Sequence, residues 1–191
     1  SFGYPYFLVD GSVDVRGTTA PVLTIEPGVV VKVGSTRDVV VGEGTAGELR
    51  AIGTQESPIV FTTYGAVSAG YWQGLHFHAQ SGESRLEHAA VEGGGGSYTA
   101  GIRVTGSAPV LRDVKVRTTY HRGIWVASGS APRIERGAVS GTTGGEGTGI
   151  RLFPGSAASI VGTAVSGNAG AGLLNEGSTP HLRHLSISGN G

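Results

Sequence analysis

The chain has 191 residues, neither Cys nor Met, and fourteen basic residues balanced by fourteen acidic ones. The length suffices for one domain with a core of its own, and the charge balance leaves no overall basic field to hold a nucleic acid. Without Cys there are no disulfides, no thiol catalysis and no thiolate metal sites, and no apolar run approaches the ~18 residues of a membrane-spanning helix.

Only 15% of residues are charged and 35 are Gly, yet Val, Ile and Leu recur at regular places, which argues against disorder. The opening "SFGYPYFLVDG" carries Phe2, Tyr4, Tyr6 and Phe7, aromatic residues suited to covering the end of a core. Residues 1–22 are therefore expected to form an N-terminal cap and a first coil. Next come "LTIEPGVVVKVG" (23–34), residues 38–65 and "YWQGLHFHAQ" (71–80), alternating strands separated by Gly and Pro turns. From there the chain repeats itself. Gly-aliphatic pairs start units at Gly74, Gly101, Gly123, Gly149 and Gly172, spaced 22 to 27 residues apart. Inside the units a second marker recurs, as in Leu111-x-x-Val114-x-Val116 and Ile160-x-x-Thr163-x-Val165.

The local period is two, so Ile102 and Val104 point one way and Arg103 and Thr105 the other. No segment sustains helical periodicity, the Leu/Asn signature of leucine-rich repeats is missing, and a propeller blade needs ~40 residues. The remaining solution is an all-β, right-handed parallel β-helix of about eight coils, each stacked on the next at ~4.8 Å. A single domain over 1–191 follows. Ile102, Ile124, Ile150 and Leu173 should form one inward ladder, with Val104, Val126 and Leu152 in the next. The final "HLRHLSISGNG" stays inside the repeat pattern, so Leu182, Leu185 and Ile187 should face the core with no following segment to cover them.

"LTIEPGVVVKVG", "GELRAIGTQESPIVFTT" and "YWQGLHF" resemble a recurrent opening of bacterial secreted and surface parallel β-helix proteins, and the "GSAP" and "SGN" units resemble pectate-lyase-like repeats. The resemblance implies an extracellular or cell-surface location and a superfamily of polysaccharide lyases, hydrolases, adhesins and scaffolds. Its lyases use clustered Asp for calcium with an Arg or Lys base, and its hydrolases use paired Asp. This chain has only Asp10, Asp14, Asp38 and Asp113, and none sits in an "N-x-D", "DD" or "GHG" signature.

The residues offer three constellations. Glu87, Asp113 and Glu135, with Arg136, His88 and Lys115 beside them, are the catalytic candidates; the competing reading is a solvated charge ladder. His76 and His78 form an H-x-H, but no third ligand aligns with them, so two exposed histidines and no metal or other cofactor are expected. The third is an outward row of His76, Arg103, Trp125 and Arg151, with Tyr120 and Tyr98 ahead of its coils and Thr105 and Phe153 in the next column. Arg beside an exposed aromatic suits an acidic sugar. Alternatively the turn 140–148 covers Trp125. Trp72 in "YWQG" should pack under a turn, and the Gly runs 93–96 and 141–149 lack the Lys-Ser or Lys-Thr of a phosphate loop.

The expected function is a non-catalytic extracellular scaffold for adhesion, glycan contact or assembly. Its partners would be an acidic glycan or cell-envelope polysaccharide and, through the C-terminal coil edge, further copies of the chain. A polysaccharide lyase or hydrolase and a head-to-tail filament subunit are the alternatives.

Overall fold

The computed structural model describes residues 11–97 and 99–191 and the backbone of 6–8. Among these residues every ladder is parallel and no helix forms; the strands wind into a parallel β-solenoid of about seven turns, close to the eight expected. Phe2, Tyr4, the Tyr6 and Phe7 side chains and Tyr98 lie outside the described residues. The Tyr6–Leu8 backbone pairs in parallel with Val31, Lys32 and Val33.

Three faces surround the core. Face A is a seven-stranded sheet running from Val13–Val15 through Gly74–Phe77, Ile102–Val104, Tyr120–Val126 and Thr143–Leu152 to Leu173–Asn175. Faces B and C belong to a 13-stranded sheet, joined where Arg85–Glu92 and Val110–Arg117 run on through a corner. The expected ladder is present: Ile102 pairs with Ile124, Ile124 with Ile150 and Ile150 with Leu173, while Val104, Val126 and Leu152 form the adjacent one. The first extends back through Leu75 and Val39 to Val13. Alternation produces this arrangement directly, because every second side chain leaves water for the same narrow interior.

The bends repeat as faithfully as the core. Between faces B and C, His88, Asp113, Arg136, Gly162 and His184 all adopt left-handed conformations, with φ from 44° to 63°. At His88 and Asp113 the strand runs on through the turn, while at Arg136, Gly162 and His184 it breaks and resumes two residues later; Asn, Asp, His and Gly tolerate the conformation best. The repeated Gly at the entry to face A has a different cause. A Cβ on Gly123 would stand 2.4 Å from Val139 Cγ1 and 2.6 Å from the Gly149 carbonyl oxygen, so the coils stack here at backbone contact.

Inside the corner between faces C and A runs a polar ladder. The Thr119 and Thr142 hydroxyls are 3.0 Å apart. Thr142 N–H donates to Asn168 Oδ1 at 3.1 Å, and Asn168 Nδ2 donates to Asn190 Oδ1 at 2.8 Å. The ladder satisfies backbone groups that the bend removes from the sheet.

Candidate functional site

The outer surface of face A carries the predicted row. Strand register aligns His76 with Arg103, Arg103 with Trp125, and Trp125 with Arg151. Phe153 and Thr105 occupy the next outward column. Tyr120 stands apart, at the start of its strand, with its ring edge-on to His121 and packed against Gly144.

Trp125 is half-buried. The Arg103 and Arg122 guanidinium carbons lie 4.4 and 4.5 Å from the indole ring, and Phe153 stacks on it with centroids 5.3 Å apart. The indole is therefore a support for guanidinium groups and not a bare platform for a sugar. The segment expected to cover it instead supplies Glu146, which accepts from Arg122 Nε at 2.9 Å and also pairs with Arg151. Arg151 is further tied to Glu176, with both hydrogen bonds at 2.9 Å. Among the described residues Arg103 makes no ion pair; burial, then repulsion from Arg122, holds its guanidinium pKa below the ordinary value against the opposing pull of Glu43.

His76 is only 7% exposed, which corrects the expectation of two exposed histidines; His78 alone is partly open. Burial pushes His76 down to about 4, outweighing the opposing pull of Asp38, whose Oδ2 lies 3.7 Å from Nδ1. It is therefore neutral at physiological pH. Among the described residues no three His, Asp or Glu side chains converge as a metal site would need.

The catalytic candidates fall into two rows. Glu87 and Glu135 lie in register with Arg112 between them, while Asp113 sits at the left-handed corner between His88 and Arg136. Arg112 reaches Glu135 at 3.1 Å and Glu87 at 3.5 Å, and Glu87 also pairs with Arg85 at 2.9 Å. Arg136 grips Asp113 through two hydrogen bonds of 3.0 and 2.6 Å. The hydrogen bond from Arg136 holds the Asp113 carboxyl below the usual range, and that from Arg133 does the same for Glu135. Both are ionised at neutral pH and carry no proton for a general acid to give. A groove of about 460 Å³ runs beside the corner, lined by Thr54, Gln55, His88, Asp113, Lys115 and Arg136.

Trp72 packs as expected: it is fully buried, and its Nε1 donates to the Glu92 carbonyl at 2.7 Å. The Arg122–Glu146 pair and the Asn168 ladder were not anticipated. The "SGN" sequences at 166–168 and 188–190 were the available signal for the second.

Fold and surface together define a parallel β-solenoid whose face A carries an aromatic-backed row of guanidinium groups, with Arg151 ion-paired and Arg103 not. Compared with known proteins, the chain matches no family model, no curated protein and no solved structure.

Proposed function

We propose that this solenoid is a non-catalytic extracellular or cell-surface scaffold that contacts an acidic glycan through the exterior of face A. The observation that carries the reading is Arg103. It is a guanidinium held against Trp125 at 4.4 Å that makes no ion pair among the described residues, with the Glu43 charge acting on it only from a distance, while its neighbours Arg122 and Arg151 are neutralised by Glu146 and Glu176. A held cation on a rigid, regularly spaced surface loses little freedom when it meets a polymer carrying negative groups. The resemblance to bacterial secreted β-helix proteins supports the same location and ligand class. The carboxylates of faces B and C, each in contact with Arg, favour this reading over a lyase or hydrolase. Binding to a panel of acidic polysaccharides at low and high salt tests it. We expect Arg103→Ala to reduce affinity at least fivefold, with most of the loss in the salt-sensitive part. Equal binding by the variant and the unaltered chain would overturn it.

A second reading has its own observation. In the last described coil Leu182 is 43% and Ile187 50% exposed, an apolar surface that a further coil, of this chain or of a second copy, would cover. Sedimentation across a wide concentration range tests it; a species that stays monomeric throughout excludes assembly by this edge.

A further inference from the structure

Around Arg103, beneath the outer side of face A, three buried donors lack acceptors. Arg103 Nε, Trp125 Nε1 and Thr105 Oγ1 are each buried and find no hydrogen-bond partner among the described residues. Arg103 and Trp125 are in register on adjacent strands, and Thr105 leaves the same side of the coil two residues after Arg103. Indole and guanidinium N–H groups can only donate, and a buried donor without an acceptor is costly enough to be rare. One strand away, His76 has the opposite character. Its Nδ1 faces the Asp38 carboxylate, so the neutral ring carries its proton there and leaves Nε2 as a buried acceptor without a partner.

We infer that Arg103, Trp125 Nε1–H and Thr105 together seat one oxyanion, a carboxylate or a sulfate, and that His76 Nε2 accepts from a hydroxyl of the same ligand. The seat is a single place on face A and not a continuous track, because Arg122 and Arg151 are already occupied by Glu146 and Glu176. The aromatic group contributes its N–H and its support of the guanidinium; its ring faces are taken by Arg103, Arg122 and Phe153. This inference rests on the reading of face A as the contact surface.

The two indoles allow a direct test by nitrogen–proton correlation spectra of the intact chain. Trp72 N–H is already bonded to the Glu92 carbonyl and serves as the internal control. Sodium acetate, sodium glycolate and sodium sulfate are titrated against sodium chloride at matched ionic strength. The expected result is a saturable shift of the Trp125 indole proton with an oxyanion and none with chloride, while Trp72 stays still. The anion that saturates at the lower concentration tells a carboxylate seat from a sulfate seat. Glycolate, which adds a hydroxyl, should bind at least threefold more tightly than acetate. Arg103→Gln should abolish the saturable shift and Arg103→Lys should weaken it several-fold, with the remaining amide spectrum preserved, whereas Arg50→Gln, an exposed guanidinium on the other sheet, should retain it. An indole response that is the same with chloride, or that survives in Arg103→Gln, overturns the seat. Glycolate no tighter than acetate removes His76 from it. If polysaccharide binding is lost in Arg103→Ala while the indole stays silent to every anion, the seat falls and the contact surface stands.

Discussion

Asn168 shows how much one buried polar side chain can hold. At 2% exposure it accepts from Thr142 N–H and donates to the Asn190 side chain, tying three coils together. Asn168→Ala strands the Thr142 N–H inside the corner, so unfolding in urea should report a loss of about 1–3 kcal/mol, the cost of an unsatisfied buried donor. An unchanged midpoint would show that the ladder is ornamental. His76 makes a different demand, one that depends on pH. It titrates at about 4 in the fold against an ordinary 6.5, so the unfolded chain binds the extra proton between these values. Stability is therefore full above about pH 6.5 and falls as the pH drops towards 4, by at most ~3 kcal/mol. His76→Gln should remove this limb. Asp113 and Glu135, whose pKa values are depressed, contribute stability that is lost at lower pH, as they protonate in the fold. A stability profile between pH 6.5 and 4 that is the same in both proteins would refute the assignment.

At the scale of the strand and its turn, glycine spacing and left-handed corners set the coil outline. The repeated Gly before face A is required because the next coil's backbone occupies the place of a side chain. Gly123→Ala should cost about 1–3 kcal/mol or more by overpacking, since Val139 and the Gly149 carbonyl oxygen must both move. Gly65→Ala makes a fair control: nothing lies within 4 Å of its added Cβ, and thermal unfolding should change by less than ~0.5 kcal/mol. Comparable losses in the two variants would mean that close stacking is not what selects the repeated glycine. The charged residues in the gaps have a local reason too. Arg112 between Glu87 and Glu135 places opposite charges on successive coils, which penalises any slip of register.

For the whole molecule, stability is a sum over coils and the interfaces between them, because each coil touches only its neighbours. The middle coils, with Leu111, Ile124 and Ile150 almost wholly buried, have neighbours on both sides. In the last described coil the equivalent side chains, Leu182 and Ile187, are about half exposed. Native-state hydrogen exchange should therefore grade along the axis, slowest at 102–104 and 124–126 and fastest at 181–188. Uniform protection would imply a single all-or-none unit and would contradict the additive picture.

Inward positions were legible from the sequence because burial along a strand is a local, period-two property. Ile102, Ile124 and Ile150 and the row from His76 to Arg151 follow from it, whereas the burial of Trp72 was expected from the resemblance of "YWQG" to the opening of secreted β-helix proteins. The recurring Gly-aliphatic pair likewise announced stacked coils, since only a repeated backbone needs the same residue at the same place. Which outward group meets which could not be read this way. Arg122 and Glu146 are 24 residues apart, about one coil, and their meeting depends on the path of the segment between them. The same holds for the cover over Trp125, which is Arg103, Arg122 and Phe153 and not the turn itself, and for His76, whose side chain points outward yet is buried by its neighbours. Alternation determined the side of the strand on which each residue lies; coil length and stacking decided that on face A Arg122 and Arg151 are neutralised while Arg103 makes no ion pair among the described residues.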